Sequence, residues 1–225
     1  MSPRLLFADP ASAADALTFA GRAARFTDEG VRLQASGGVL AMTAAPLAPR
    51  GLGDATPTVL AMRTLAADPE LVCDLIVDAS TLTAVADDPR AVSLPETALS
   101  AAWAGIAPPR GGWESRAGID ASTLAAKAQG GIARVSDTVP TDAGEDVVRA
   151  VRAAVWGAPD DDLGGLPLGV AFAALSMGFI SGAETSRVYA NGPWTRITLD
   201  RGHIVVRGPL VSGLTPVRRT GPAAA

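Results

Sequence analysis

The sequence predicts an α+β fold: a single domain in which a mainly antiparallel sheet, built from both ends of the chain, packs against helices of the C-terminal half. Three observations predict it. Polarity alternates around Gly37-Gly38 near one end and around Arg201-Gly202 near the other, which marks β-hairpins. Helical periodicity concentrates between residues 121 and 180. The first half carries short apolar runs broken by turn formers at Asp68-Pro69 and Asp87-Asp88-Pro89.

Residues 12–25 read as a helix with Ser12 as its cap, followed by a hairpin of 31–36 and 39–43. Strand-like runs lie at 59–65, 71–77, 81–85 and 91–94. Residues 97–106 read as a helix stopped by Pro108-Pro109, and 111–118 as a loop in which Trp113 packs against the body. Helices are expected at 121–135, 142–156 and 166–180, and closing strands at 187–189, 194–199 and 204–207. In the second of these helices Val147, Val148, Val151 and Val155 form the apolar stripe. The domain is expected to span 1–218, with a disordered Pro, Gly and Ala tail at 219–225.

With 225 residues, 48% of them hydrophobic, the chain can bury a full core. Lys127 is the only lysine, a bias expected of a GC-rich bacterial genome. A net charge of −4 opposes general nucleic-acid binding, which needs a basic face. The lone Cys73 sits in an apolar run, so no internal disulfide forms, and one Cys with one His falls short of a zinc ligand set. No cofactor or metal is expected. The N-terminus lacks a signal-peptide apolar region, which points to a cytoplasmic protein. Residues 163–183 are uncharged and carry two GxxxG spacings, but their glycines, Pro167 and serines suit a buried helix better than a membrane span.

Residues 31–43 align without gaps on 195–207, matching Arg32 with Arg196 and Gly38 with Gly202, the pattern of a helix-hairpin unit used twice. Ser176, Asp200 and His203 follow the order of a hydrolase triad, but a helical run is the wrong setting for a nucleophile elbow. Asp74 and Asp78, on one strand face, would stand roughly 13 Å apart, too far for a paired acid and base. Trp103-Ala-Gly105 matches a three-residue signature of small secreted helical proteins, a class this long chain does not fit. Helices 121–135 and 142–156 lack the basic surface of a DNA-reading pair.

One constellation remains. A two-residue turn at Arg201-Gly202 would pair Asp200 with His203 and Arg196 with Arg207, on a face shared with Trp194 and Thr198. Two arginines directly opposed call for an anion, or for a carboxylate from Glu145, Asp146 or 160–162, unless both guanidinium groups splay into water. Arg196, Arg207 and His203 are therefore the expected anion-binding residues, and no catalytic residue is assigned. The function expected is a non-catalytic binding or protein-interaction module whose partner is a protein or a small anionic ligand. The alternative is an enzyme acting on a small anionic substrate at this hairpin.

Overall fold

The computed structural model describes residues 3–27, 29–51, 53–105 and 107–208. The expected tail at 219–225 lies outside them. The fold is α+β, one compact domain with an antiparallel sheet of eight strands. The first half supplies β1 (Arg4–Leu6), α1 (Pro10–Ala23), β2 (Val31–Ser36), β3 (Val39–Leu47), β4 (Thr58–Ala66), β5 (Cys73–Val77), β6 (Thr83–Val85) and β7 (Asp88–Ser93). The second half supplies β8 (Glu114–Arg116), α2 (Ala121–Thr138), α3 (Glu145–Gly157), the short β9 (Pro159–Asp160) and β10 (Leu166–Pro167), α4 (Gly169–Ser176), β11 (Arg187–Asn191), β12 (Trp194–Leu199) and β13 (Gly202–Arg207).

The large sheet runs β5-β2-β3-β4-β13-β12-β11-β8, four strands from each half, while β1, β7 and β6 form a small sheet beside α1. The halves join where β4 pairs antiparallel with β13, from His203 opposite Met62 to Arg207 opposite Thr58. Alternation then puts Leu33, Leu40, Met42, Val59, Ile197, Ile204 and Val206 on one face, all buried. That inner face is covered by α1, through Ala13, Ala16, Phe19, Ala20 and Ala23, and by α4, through Val170, Ala171, Ala173 and Ala174. The sheet thus packs against a helix of the C-terminal half, as expected, and α1 of the N-terminal half joins it. α4 is buried as expected but ends sooner, because residue 178 turns the chain left-handed.

Three local expectations are corrected. Asp9, not Ser12, caps α1: its Oδ1 accepts the Ser12 N–H at 2.8 Å, with Pro10 at the first helical position. Residues 97–105 of the expected helix 97–106 form no α-helix. The Leu99 N–H donates to the Ile76 carbonyl at 2.7 Å, and only a short 3-10 turn at Ala102–Gly105 follows, so a tertiary contact overrides local propensity. The alignment of 31–43 on 195–207 does not match the places of these strands in the sheet. Read outward from the β4–β13 seam, β2 and β3 correspond to β11 and β12, and it is β11, not β12, that follows the second helical segment.

The β12–β13 turn also differs from expectation. Leu199 pairs with Gly202 and Thr198 with His203, so the turn is Asp200-Arg201. Gly202 lies inside β13 because the Phe179 ring occupies the place of its side chain: a Cβ there would stand 2.6 Å from the ring. The Asp200 N–H is taken by Glu184 Oε2 at 2.9 Å rather than joining a pair with His203.

Ala173 is fully buried between the sheet and α2. Its replacement by Asp should lower unfolding free energy by on the order of 3 kcal/mol, read by denaturant titration. Gly202→Ala should cost about 1–3 kcal/mol by forcing the Phe179 ring aside.

Candidate functional site

The outer face of the sheet holds the expected site residues. One row crosses seven strands: Ile76, Arg32, Thr43, Met62, His203, Thr198 and Arg187. The next runs Leu60, Val205, Arg196, Tyr189 and Ser115, and a third places Arg207 opposite Trp194. Arg196 and Arg207 share this face as expected, but in diagonal rather than direct opposition. Part of the face lies under the segment joining the halves. Trp103 of that segment is buried with Leu60, Val205, Trp194 and Ala45, and Trp113 packs at the margin. Asn191 Nδ2 ties the segment down by donating to the Gly111 carbonyl at 2.7 Å.

Aromatic rings, not carboxylates, receive the two arginines. The Arg196 guanidinium stands 4.8 Å from the Trp113 ring centre and 4.8 Å from that of Tyr189, and Arg207 stands 5.8 Å from Trp194. The carboxylates expected to neutralise them are engaged elsewhere. Glu145 and Asp146 hold Arg149 at 3.1 and 2.8 Å, and Asp160 and Asp162 hold Lys127 at 2.9 and 2.7 Å. Among the described residues neither Arg196 nor Arg207 makes an ion pair, and the Nε of each is buried without a hydrogen-bond partner. His203 Nδ1 lies 3.1 Å from Thr198 Oγ1. Burial, and then the charges of Arg196, Arg187 and Arg63, push the His203 pKa below the usual imidazole value.

The other sequence constellations dissolve into structure. Ser176 Oγ donates to the Phe172 carbonyl at 2.7 Å, a helix back-bond. Asp74 takes Arg32 in a two-point pair at 2.8 and 2.9 Å, and Asp78 caps the 3-10 turn at Ala79–Thr81. The half-buried Cys73 thiol is pushed upward by burial, as an inert side chain would be. Among the described residues no group of three metal-ligating side chains converges, and no helix is long and apolar enough to cross a membrane.

A concave site lies elsewhere. A cleft of about 520 Å³ opens between the chain after α1, the β3–β4 connection and α3. Phe26, Leu47, Val148 and Trp156 supply its apolar lining. Phe172 supports two of these rings, stacking on Trp156 at 4.6 Å and meeting Phe26 edge-on at 6.1 Å. Arg25 and Arg152 reach the same cleft, Arg152 with its guanidinium 6.0 Å from the Phe172 ring centre, and neither makes an ion pair among the described residues. Asp54, also in the lining, accepts from Thr56 and from the Arg50 N–H, which hold its carboxyl below the ordinary range. Sequence reasoning missed this cleft because its walls come from four separate stretches, and the only visible trace was the valine stripe of α3.

Two family models divide the chain. Residues 1–105 match a Domain of unknown function (DUF8010) and residues 108–211 a Domain of unknown function (DUF8185). No curated protein matches. In fold the chain is similar to bacterial polymerase clamps. A DNA polymerase sliding clamp from Caulobacter crescentus is 15% identical, with a TM-score of 0.47, covering 100% of this chain and 70% of that one. A DnaN sliding clamp from Bartonella birtlesii, bound to griselimycin, is 15% identical with a TM-score of 0.48, covering 96% and 67%. The DNA polymerase III beta subunit of Thermotoga maritima is 13% identical with a TM-score of 0.46, covering 92% and 65%.

His203 is the only histidine, so its titration can be read without ambiguity. Its folded pKa is depressed, so the unfolded chain binds the proton first as pH falls. Stability should be complete above the unfolded imidazole value of about 6.5 and decline as pH drops from there toward the folded pKa. Thermal unfolding across this window should show the decline, and His203→Gln should flatten it.

Proposed function

We propose that the chain is a non-catalytic binding module, and that its ligand is an amphipathic small anion held in the cleft beside α3. The observation that carries this reading is the combination of an apolar, ring-supported lining with Arg25 and Arg152, two cations that make no ion pair among the described residues in a cleft also lined by Glu29, Asp54, Asp78 and Glu145. The volume of about 520 Å³ falls within the range of small-molecule sites. An enzyme working at the β12–β13 hairpin would need His203 and both arginines to open into one concavity. The cleft beside α3 is lined by none of these three residues, which favours the binding reading. A cytoplasmic setting belongs to the same reading, supported by the free thiol of Cys73.

The probe is 8-anilinonaphthalene-1-sulfonate, an aromatic body with one anionic group. It should bind the wild type saturably, with a rise in fluorescence. The Arg25→Ala, Arg152→Ala double variant should bind about tenfold more weakly, the loss expected for one charge-assisted contact. Val148→Glu should abolish binding while far-UV circular dichroism stays unchanged. Equal binding by all three proteins would overturn the cleft as the ligand site.

A second reading rests on the unpaired arginines of the outer face. Ring stacking occupies the faces of a guanidinium and leaves its in-plane N–H groups for an anion. A phosphate ion there would add a neutralising charge near His203, so the single imidazole resonance should titrate at higher pH in phosphate than in chloride at equal ionic strength. The Arg196→Ala, Arg207→Ala double variant should lose this difference. An unchanged difference would remove the anion from this face.

A further inference from the structure

A smaller pocket, of about 210 Å³, lies on the inner side of the sheet where α1, β4, the β12–β13 turn and the end of α4 meet. Three guanidinium groups converge on it: Arg22 from α1, Arg63 from β4 and Arg201 from the turn. Asp15 is the only carboxylate in the lining, and it is spent on Arg63, accepting from Nε at 2.9 Å and also from Nη2. The third Arg63 nitrogen, Nη1, donates to the Arg201 carbonyl. Arg63 is thus neutralised and fixed, which leaves two positive charges facing one small space.

Among the described residues neither remaining arginine makes an ion pair. Arg22 Nη1 donates to the Met177 carbonyl at 2.6 Å, which orients the group without cancelling its charge. Arg201 is exposed at the turn and makes no ion pair among the described residues. The position of Arg22 is built into the backbone: its guanidinium fills the space a side chain at residue 178 would take, with a Cβ there only 2.2 Å from Nη1. Gly178 also has φ of +64°, so the turn favours glycine, and a Cβ there would push the Arg22 guanidinium aside. The two carbonyl oxygens that would repel an anion, those of Met177 and Arg201, already accept from Arg22 and Arg63.

We propose that this pocket binds a phosphate-type oxyanion, either inorganic phosphate or the phosphoryl end of a phosphomonoester, with Arg22 and Arg201 as its ligands and Arg63 as the fixed wall. The planar, multi-donor guanidinium matches a tetrahedral oxyanion. Because α1 and β4 come from the first half while the turn and α4 come from the second, the anion clamps the two halves together. This site is separate from the cleft beside α3 and stands or falls on its own.

The test is thermal unfolding of the full chain in sodium phosphate and in sodium chloride at matched ionic strength, so that general screening cancels. O-phosphoserine and serine form a second pair of arms, which separates a phosphomonoester from free phosphate. The wild type should gain a midpoint increment in phosphate that grows with the logarithm of concentration. Arg201→Ala, at an exposed turn position that leaves the core untouched, should weaken the apparent phosphate affinity about tenfold. Arg22→Gln should remove the increment, and Arg196→Ala with Arg207→Ala should retain it. If the Arg201 variant responds like the wild type, or if only the Arg196 and Arg207 substitutions remove the increment, the pocket is not the anion site.

Discussion

Everything in this molecule depends on the antiparallel pairing of β4 with β13. These two strands lie at the centre of the sheet, one from each half, and their register decides which side chains reach the helices and which reach the outer face. Ile204 opposite Ala61 and Val206 opposite Val59 fall inward, while His203 opposite Met62 and Val205 opposite Leu60 fall outward. A slip of one residue would exchange the two sets and bring His203 and Arg207 into the apolar core, at the cost of desolvating charge and imidazole alike. The inner packing is tight enough to enforce the register. Gly202 makes room for Phe179, so a shift of β13 would set a side chain against that ring.

The same register distributes the chemistry. Outward residues of β12 and β13 carry arginine and tryptophan beside one another, and the joining segment brings Trp103 and Trp113 over them. Stacking against rings lets the cations sit half-buried without carboxylate partners. At the inner margin of the sheet the logic differs. There Arg63 is held by Asp15, and Arg22 and Arg201 line a pocket without an ion pair among the described residues. Charge on this protein is therefore arranged by local partners rather than by its net value, which is negative.

Much of the fold was legible in the sequence because it rests on short-range signals. The Gly37-Gly38 hairpin and the alternation of β12 are local patterns that appear where the residues place them, and of the valine stripe of α3 Val155 is buried while Val147 is exposed. The illegible parts are set by distant contacts. Residues 97–101 have helical composition, yet Leu99 is claimed by the edge of β5, nearly a quarter-hundred positions back along the chain. The β12–β13 turn was misplaced because Gly202 reads as a turn residue when its neighbour in space, Phe179, is unknown. For the candidate site, the shared face of Arg196 and Arg207 was readable from alternation alone. The stacking rings were not, since Trp113 and Tyr189 reach Arg196 from two other strands or loops. Both clefts were invisible for the same reason, being bounded by segments remote in sequence.

The central seam has a consequence for how the molecule could be taken apart. Two family models meet between residues 105 and 108, within the segment that crosses the outer face, so the covalent junction and the strand junction are different places. Cleaving the backbone there would leave two fragments, each ending its sheet in an unsatisfied central strand, β4 in one and β13 in the other. Such edges are sticky toward any strand, and most of all toward the complementary one. The chain is thus laid out as a two-piece complementation system, in which reassembly of the fragments would report, through a single strand pairing, that they had been brought close.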